Sequence, residues 1–202
     1  MIKWLAGLLV VMCATGSLAA EYWPMMTGVE LTYNTGVRIS IVPGDSDGRI
    51  AYDLQAPTYI IEDNFADGGG GDIFAFGGWS FFDGGWDPDL WWFPVPVLFL
   101  DSPLFVGKTW SNHYYVDLGY RIWECTVTGT VASAGILESP LGMLDYLVVV
   151  IDGIPAPYLN GTYCLNSRFG PVVLQGGETI TNATGIIASE TTSWGALKAL
   201  YR

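Results

Sequence analysis

The stretch VELTYNTGVRISI, residues 29–41, decides the fold class. Val29, Leu31 and Tyr33 alternate with Glu30, Thr32 and Asn34; after Asn34-Thr35-Gly36 the alternation resumes with Val37, Ile39 and Ile41 against Arg38 and Ser40. Period two on both sides of a turn-forming Asn and Gly is a β-hairpin with one apolar face. Outward from it, PGDSDG at residues 43–48 turns into a strand ending at Leu54, and further strands are predicted at 58–62, 95–100, 109–117, 120–128, 144–151, 158–165, 171–175 and 178–189. Only residues 193–201 carry helical spacing, with Trp194, Leu197 and Leu200 or Tyr201 on one face behind Ser193 as a cap. The expectation is a mainly β protein: an antiparallel curved sheet, built as a sandwich or a partly closed barrel, with a short C-terminal helix.

The first twenty residues read differently. Lys3 is the one charge before Glu21, an apolar run spans residues 4–13, and Ser17-Leu18-Ala19 places small residues where a signal peptidase cuts, after Ala19 or Ala20. Ten apolar residues fall short of the ~20 that cross a bilayer. Residues 1–20 are therefore expected to be a secretory signal peptide, leaving 21–202 as a single β domain without a transmembrane span, secreted or periplasmic in a bacterial cell envelope. The chain carries 20 acidic against 8 basic residues, a net charge of −12, one unit more negative once Lys3 leaves. Such a surface repels phosphate backbones, which excludes nucleic acid as a partner. The acids crowd residues 45–101, where Arg49 is the single base, so that region is either a solvated acidic face or a cation site.

Two cysteines remain beyond the leader, Cys125 and Cys164. In an oxidising compartment an isolated pair is most simply a disulfide, the other reading being two separate buried thiols. Neither sits in a CxxC or His-rich pattern, which argues against zinc and thiol redox chemistry.

A weak internal repeat aligns WPMMTGVELTY (residues 23–33) with SPLFVGKTWSN (residues 102–112): Pro24 with Pro103, Met25 with Leu104, Gly28 with Gly107, Leu31 with Trp110. Each copy is expected to begin a strand set, with a Gly/Asp/Trp-rich insertion around 63–96 between them. At these openings, at the turn ESPLGMLDYL (residues 138–147) and at the late strand SRFGPVVL (residues 167–174), the chain resembles a broad group of uncharacterised bacterial cell-envelope and secreted β proteins. Those proteins carry repeated PLxxGxxWxY-like openings and a VPAGTF-like turn. The resemblance implies a curved antiparallel sheet, similar in outline to periplasmic lipid or lipoprotein carriers; it implies no activity and carries over no functional residue.

Catalytic patterns are thin. His113, the single His, lies in a strand reading NHYYVD, where a surface role outweighs that of a general base. Asp83, Asp87 and Asp89 beside Trp86, Trp91 and Trp92 supply carboxylates for glycoside hydrolysis, but two of them would have to flank a bond about 5–9 Å apart, which spacing along a chain does not establish. A non-enzymatic protein is expected, with no cofactor except calcium as a candidate. Asp45 and Asp47 in DSDGR, and Asp67 and Asp72 in DNFADGGGGD, offer oxygen ligands on Gly-rich loops without completing a calcium-loop pattern; solvated acidic turns are the plainer reading.

Binding or structural roles remain. Trp79, Asp83, Trp86, Asp87, Trp91 and Trp92 are the candidate ligand residues. Flat indole faces with neighbouring carboxylates suit a glycan, so a carbohydrate-binding module is one reading. The run LWWFPVPVLFL, residues 90–100, suits an apolar ligand or an envelope surface. The third reading is that these aromatics fold back as core, since continuous apolarity fits burial on both faces. A glycoside hydrolase and a small outer-membrane barrel are the weaker alternatives; against the barrel stand the Cys pair and the unbroken apolar runs.

Overall fold

The computed structural model describes residues 22–45, 48–82 and 89–185. The signal peptide expected at 1–20 and the helix expected at 193–201 lie outside the described residues. The strands are β1 (Val29–Tyr33), β2 (Arg38–Pro43), β3 (Ile50–Gln55), β4 (Tyr59–Asp67), β5 (Ile73–Phe82), β6 (Asp89–Leu90), β7 (Val97–Leu100), β8 (Thr109–Asp117), β9 (Ile122–Ser139), β10 (Gly142–Asp152), β11 (Gly161–Asn166), β12 (Gly170–Val173) and β13 (Ile180–Thr184). Among the described residues they form two antiparallel sheets, neither closed into a barrel. The first has the order β13-β1-β2-β3-β4-β5-β6 with β7 also on β5; the second runs β12-β11-β10-β9-β8.

The opening hairpin behaves as its alternation requires. Val29 faces Ile41 and Leu31 faces Ile39 across β1 and β2, and all four are at most 3% exposed. Opposed residues of an antiparallel pair share a face, so the apolar set is buried as a block. Each of the two aligned openings precedes the first strand of a sheet, β1 in one and β8 in the other. Gly28 and Gly107 have φ of +86° and +92°, the left-handed region that a side chain disfavours. Their amides donate to the carbonyls of Ile41 and Val131, each at 2.8 Å.

The two sheets share one core, and Trp23 joins them. Its indole stacks on Tyr52 of β3 at 4.8 Å and 21°, and meets Phe65 of β4, Phe99 of β7 and Tyr163 of β11 at steep angles, with centroids 4.8–5.9 Å apart. Edge-to-face and stacked pairs of this kind each add about 0.5–1.5 kcal/mol beyond the area they bury. Val97–Leu100 is buried at every position, as its unbroken apolarity predicts.

Two expectations are corrected. No strand is predicted at 73–82, yet IFAFGGWSFF forms the ten-residue β5 between β4 and the β6–β7 edge. The Gly77-Gly78 pair interrupts the alternation that would have marked it, and the register slips between Asn64 and Phe65 opposite. Gly78 is required there by close packing, because a Cβ would strike the Glu62 carbonyl. The second correction concerns the cysteines: Cys125 and Cys164 are free thiols. Cys164 on β11 lies opposite Val148 of β10, which lies opposite Ser133 of β9, whereas Cys125 is eight positions further along β9, across from Tyr114. With β10 between them and an offset of roughly 25 Å along the strands at ~3.3 Å per residue, the two sulfurs lie far outside the ~7 Å Cα separation that a disulfide tolerates. Each is half-buried against apolar neighbours, and burial pushes both thiols up from the ordinary cysteine range.

A candidate ligand cavity between the sheets

β4 supplies the decisive residue. Tyr59, Ile61, Asp63 and Phe65 occupy alternate positions of one strand and point to the inner face. A carboxyl therefore stands where the pattern calls for an apolar side chain, and Asp63 is only 6% exposed. Its cross-strand neighbours are Tyr52 on β3 and Gly78 on β5, the latter with no side chain to pack against it.

In front of Asp63 lies a cavity of about 280 Å³ between the sheets. Six aromatic residues line it: Trp23, Tyr52, Tyr59, Phe65, Tyr158 and Tyr163, with aliphatic side chains of β2–β4 and residues 171–174 completing the wall. The second sheet's share comes from a 3₁₀ turn, Pro157–Leu159, from β11, and from the exposed turn at 174–178, which brings Gln175 and Glu178 to the lining.

The polar groups around the cavity divide into two sets. Those of the first are spent on the backbone: the Tyr52 hydroxyl donates to the Pro24 carbonyl at 2.6 Å, and the Tyr163 hydroxyl to Leu159 at 2.9 Å. Gln175 Nε2 donates to the Tyr158 carbonyl and to the Tyr163 hydroxyl, both at 3.1 Å. The second set is buried without a partner: Asp63 Oδ1, the Tyr158 hydroxyl and Trp23 Nε1. Tyr158 and Asp63 are close enough for a side-chain interaction that bears on the ionisation of both, although it falls short of a well-formed hydrogen bond. Buried polar atoms are nearly always paired, and leaving one unpaired costs about 1–3 kcal/mol. Among the described residues Ser80 Oγ, Ser102 Oγ and Trp110 Nε1 are also buried without a partner, away from the cavity; what sets the cavity apart is that one of its unpaired groups is a carboxyl.

Burial pushes the Asp63 carboxyl up to about 8; the nearby Tyr158 hydroxyl holds it back in part and the Glu62 charge adds to it. The protonated acid thus predominates at neutral pH, and the group can donate as well as accept. Burial likewise raises Tyr158 and Tyr163 above the usual phenol range. Among the lining residues there is no Lys, Arg or His.

The residues singled out from the sequence lie elsewhere. Trp79, half-buried on β5, is opposite Glu62 and Leu90, on the outer side of the first sheet. From Leu90 the chain alternates: Leu90 and Trp92 are 65% and 43% exposed, whereas Trp91 and Phe93 pack inward against the core, Phe93 lying 6.4 Å from Trp123. The Trp91 amide donates to Gly78 and that of Phe93 to Phe76, so this stretch continues the sheet edge. Asp83, Trp86 and Asp87 lie outside the described residues.

The described calcium candidates are each engaged by a different local partner. Asp45 pairs with Arg49 at 3.1 Å, Asp67 caps the Gly69 amide at 2.8 Å, Asp72 accepts from the Ser102 amide at 2.7 Å, and Asp47 is outside the described residues. Among the described residues no group of three or more His, Cys, Asp or Glu could hold a metal. His113 is exposed on the outer face of β8, its Nδ1 3.0 Å from the Thr126 hydroxyl and its Nε2 3.4 Å from Glu124. No described helix is long and apolar enough to cross a membrane.

Sequence reasoning missed Asp63, Tyr158 and Trp23 as a set. For Asp63 the signal was present: the alternation of Tyr59 and Ile61 continues through Asp63 to Phe65, extending the strand predicted at 58–62 into the stretch taken for an acidic loop. Comparison of the chain with protein-family models, with curated proteins and with solved structures finds no match.

Proposed function

We propose that this is a non-enzymatic binding protein of the bacterial cell envelope, secreted or periplasmic, that holds a small and largely apolar ligand between its two sheets. The cavity in front of Asp63 carries this reading: an aromatic chamber of about 280 Å³ with a few unpaired polar groups, which is the usual constitution of a small-molecule site. The leader-like first twenty residues and the resemblance of the repeated openings to envelope β proteins support the location. The neutral probe N-phenyl-1-naphthylamine tests the reading, since its fluorescence rises on entering an apolar site. Saturable enhancement that is lost in Ile61→Trp, where the new indole fills the cavity, is expected. No enhancement, or one indifferent to Ile61→Trp, overturns it.

A second reading, a carbohydrate-binding surface, is favoured by one observation: Trp92 presents an indole that is 43% exposed on the same outer side as Leu90 and Trp79. Stacking on a sugar needs such a face.

A further inference from the structure

We propose that the cavity selects an organic cation, an amine or quaternary ammonium on an apolar body, whose charged head pairs with Asp63 among the aromatic rings. This rests on the reading of the cavity as a ligand site and adds the charge of the ligand. The lining contains two carboxyls, Asp63 and Glu178, and no basic side chain. An anionic amphiphile would thus bring its head into an acidic chamber of an acidic protein, against the field of a chain with net charge −12. A wholly apolar ligand would leave the buried Asp63 carboxyl with no group of opposite charge to meet it. A cation fits by charge, because a carboxylate and the negative faces of aromatic rings attract it together, and a quaternary ammonium among such rings is a recurrent mode of recognition.

The titratable groups around Asp63 are Glu62, its chain neighbour on the opposite face of β4, Tyr52 on β3, Tyr158 in the 3₁₀ turn and Tyr163 on β11, with Tyr59 and Glu178 elsewhere in the lining. None can supply a positive charge. The cation must therefore bind the ionised carboxyl, and below about pH 8 its binding expels the proton Asp63 holds. Affinity should fall about tenfold per pH unit as pH drops below that value, and level off above it.

Benzyltrimethylammonium and its uncharged isostere neopentylbenzene have the same shape, and neither titrates, so any pH dependence belongs to the protein. Calorimetric titration of the leader-free chain should show the cation binding at least about tenfold more tightly than the hydrocarbon at pH 8.5, with the stated loss toward pH 6. In Asp63→Asn, which keeps size and polarity but not charge, both the preference and the slope should vanish. Equal or tighter binding of neopentylbenzene, or a flat pH profile for the cation in the unaltered protein, overturns the charge assignment while leaving the cavity reading intact. If N-phenyl-1-naphthylamine and both isosteres all fail to bind, the cavity reading falls and this inference with it. The pH profile needs no variant, so a poorly folding Asp63→Asn leaves the test standing.

Discussion

Two regions of the first sheet compete for attention, and they use aromatic residues in opposite ways. At the β6 edge, Leu90 to Phe93 alternates outward and inward, so Trp91 and Phe93 pack against the core, Phe93 beside Trp123, while Leu90 and Trp92 meet solvent. At β4, only a strand away, Trp23, Tyr52 and Phe65 are packed ring against ring, and the odd member is a carboxyl. Density of tryptophan therefore distinguishes the first region in the sequence, but a buried carboxyl at a cavity distinguishes the second in the structure. Surface aromatics scattered along an edge need no ligand to explain them, whereas a fully buried carboxyl is rare in a core and marks a candidate site.

If the inner region is the structural centre as well as the site, the largest effect belongs to Trp23. Trp23→Ala removes the ring that touches Tyr52, Phe65, Phe99 and Tyr163 across both sheets. A loss of about 3–5 kcal/mol in urea unfolding is expected. A cost below ~1 kcal/mol would mean that the two sheets do not depend on this junction.

Asp63 sharpens the contrast by way of pH. Its folded-state value near 8 lies above the unfolded 3.8, so between these limits the folded chain binds more protons than the unfolded one. Stability from this group is full below pH 4, falls as pH rises, and is lost by about pH 8. The slope is about 1.4 kcal/mol per pH unit across the middle of that window. Asp63→Asn should flatten the melting temperature between pH 5 and 8 relative to the unaltered chain. Parallel curves would show that the carboxyl is not desolvated as its burial requires.

How much of this was legible follows from what period two can and cannot encode. The VELTYNTGVRISI hairpin and the buried β7 are readable because their apolar residues alternate without a break or run without one. β5 was not, since Gly77 and Gly78 have no side chain with which to declare a face, and the reason for Gly78 is a carbonyl on the neighbouring strand. The cysteines show the same limit: counting them suggests a pair, while register puts a strand and eight positions between them. Asp63 was half legible. Its inward position follows from alternation with Ile61 and Phe65, but the partners that leave it unpaired come from residues 158 and 163, about a hundred positions away.

Gly78 joins the two regions, for its carbonyl accepts the Trp91 amide at 2.8 Å while its Cα faces the strand that carries Asp63. Because a Cβ there meets backbone and not a yielding side chain, Gly78→Ala must push β5 from β4. A cost of about 1–3 kcal/mol is expected, together with weaker binding in the cavity and altered Trp91 fluorescence. A neutral outcome would detach the edge from the site.

The smallest effect is reserved for the most conspicuous residue. Trp92 is 43% exposed and alternates away from the core that Trp91 and Phe93 cover. It is not part of the buried core, so the stability change on replacement by Ala should lie within about 0.5 kcal/mol. Cavity binding of N-phenyl-1-naphthylamine should also be unchanged, because none of the lining is displaced. Trp92→Ala thus separates the two surfaces cleanly: on a glycan array, loss of a saturable signal in this variant alone would assign carbohydrate recognition to the edge, independently of whatever the cavity holds. If instead the variant loses the apolar probe and leaves the array untouched, the edge and the cavity are one site, and the division drawn between outward and inward aromatics does not hold.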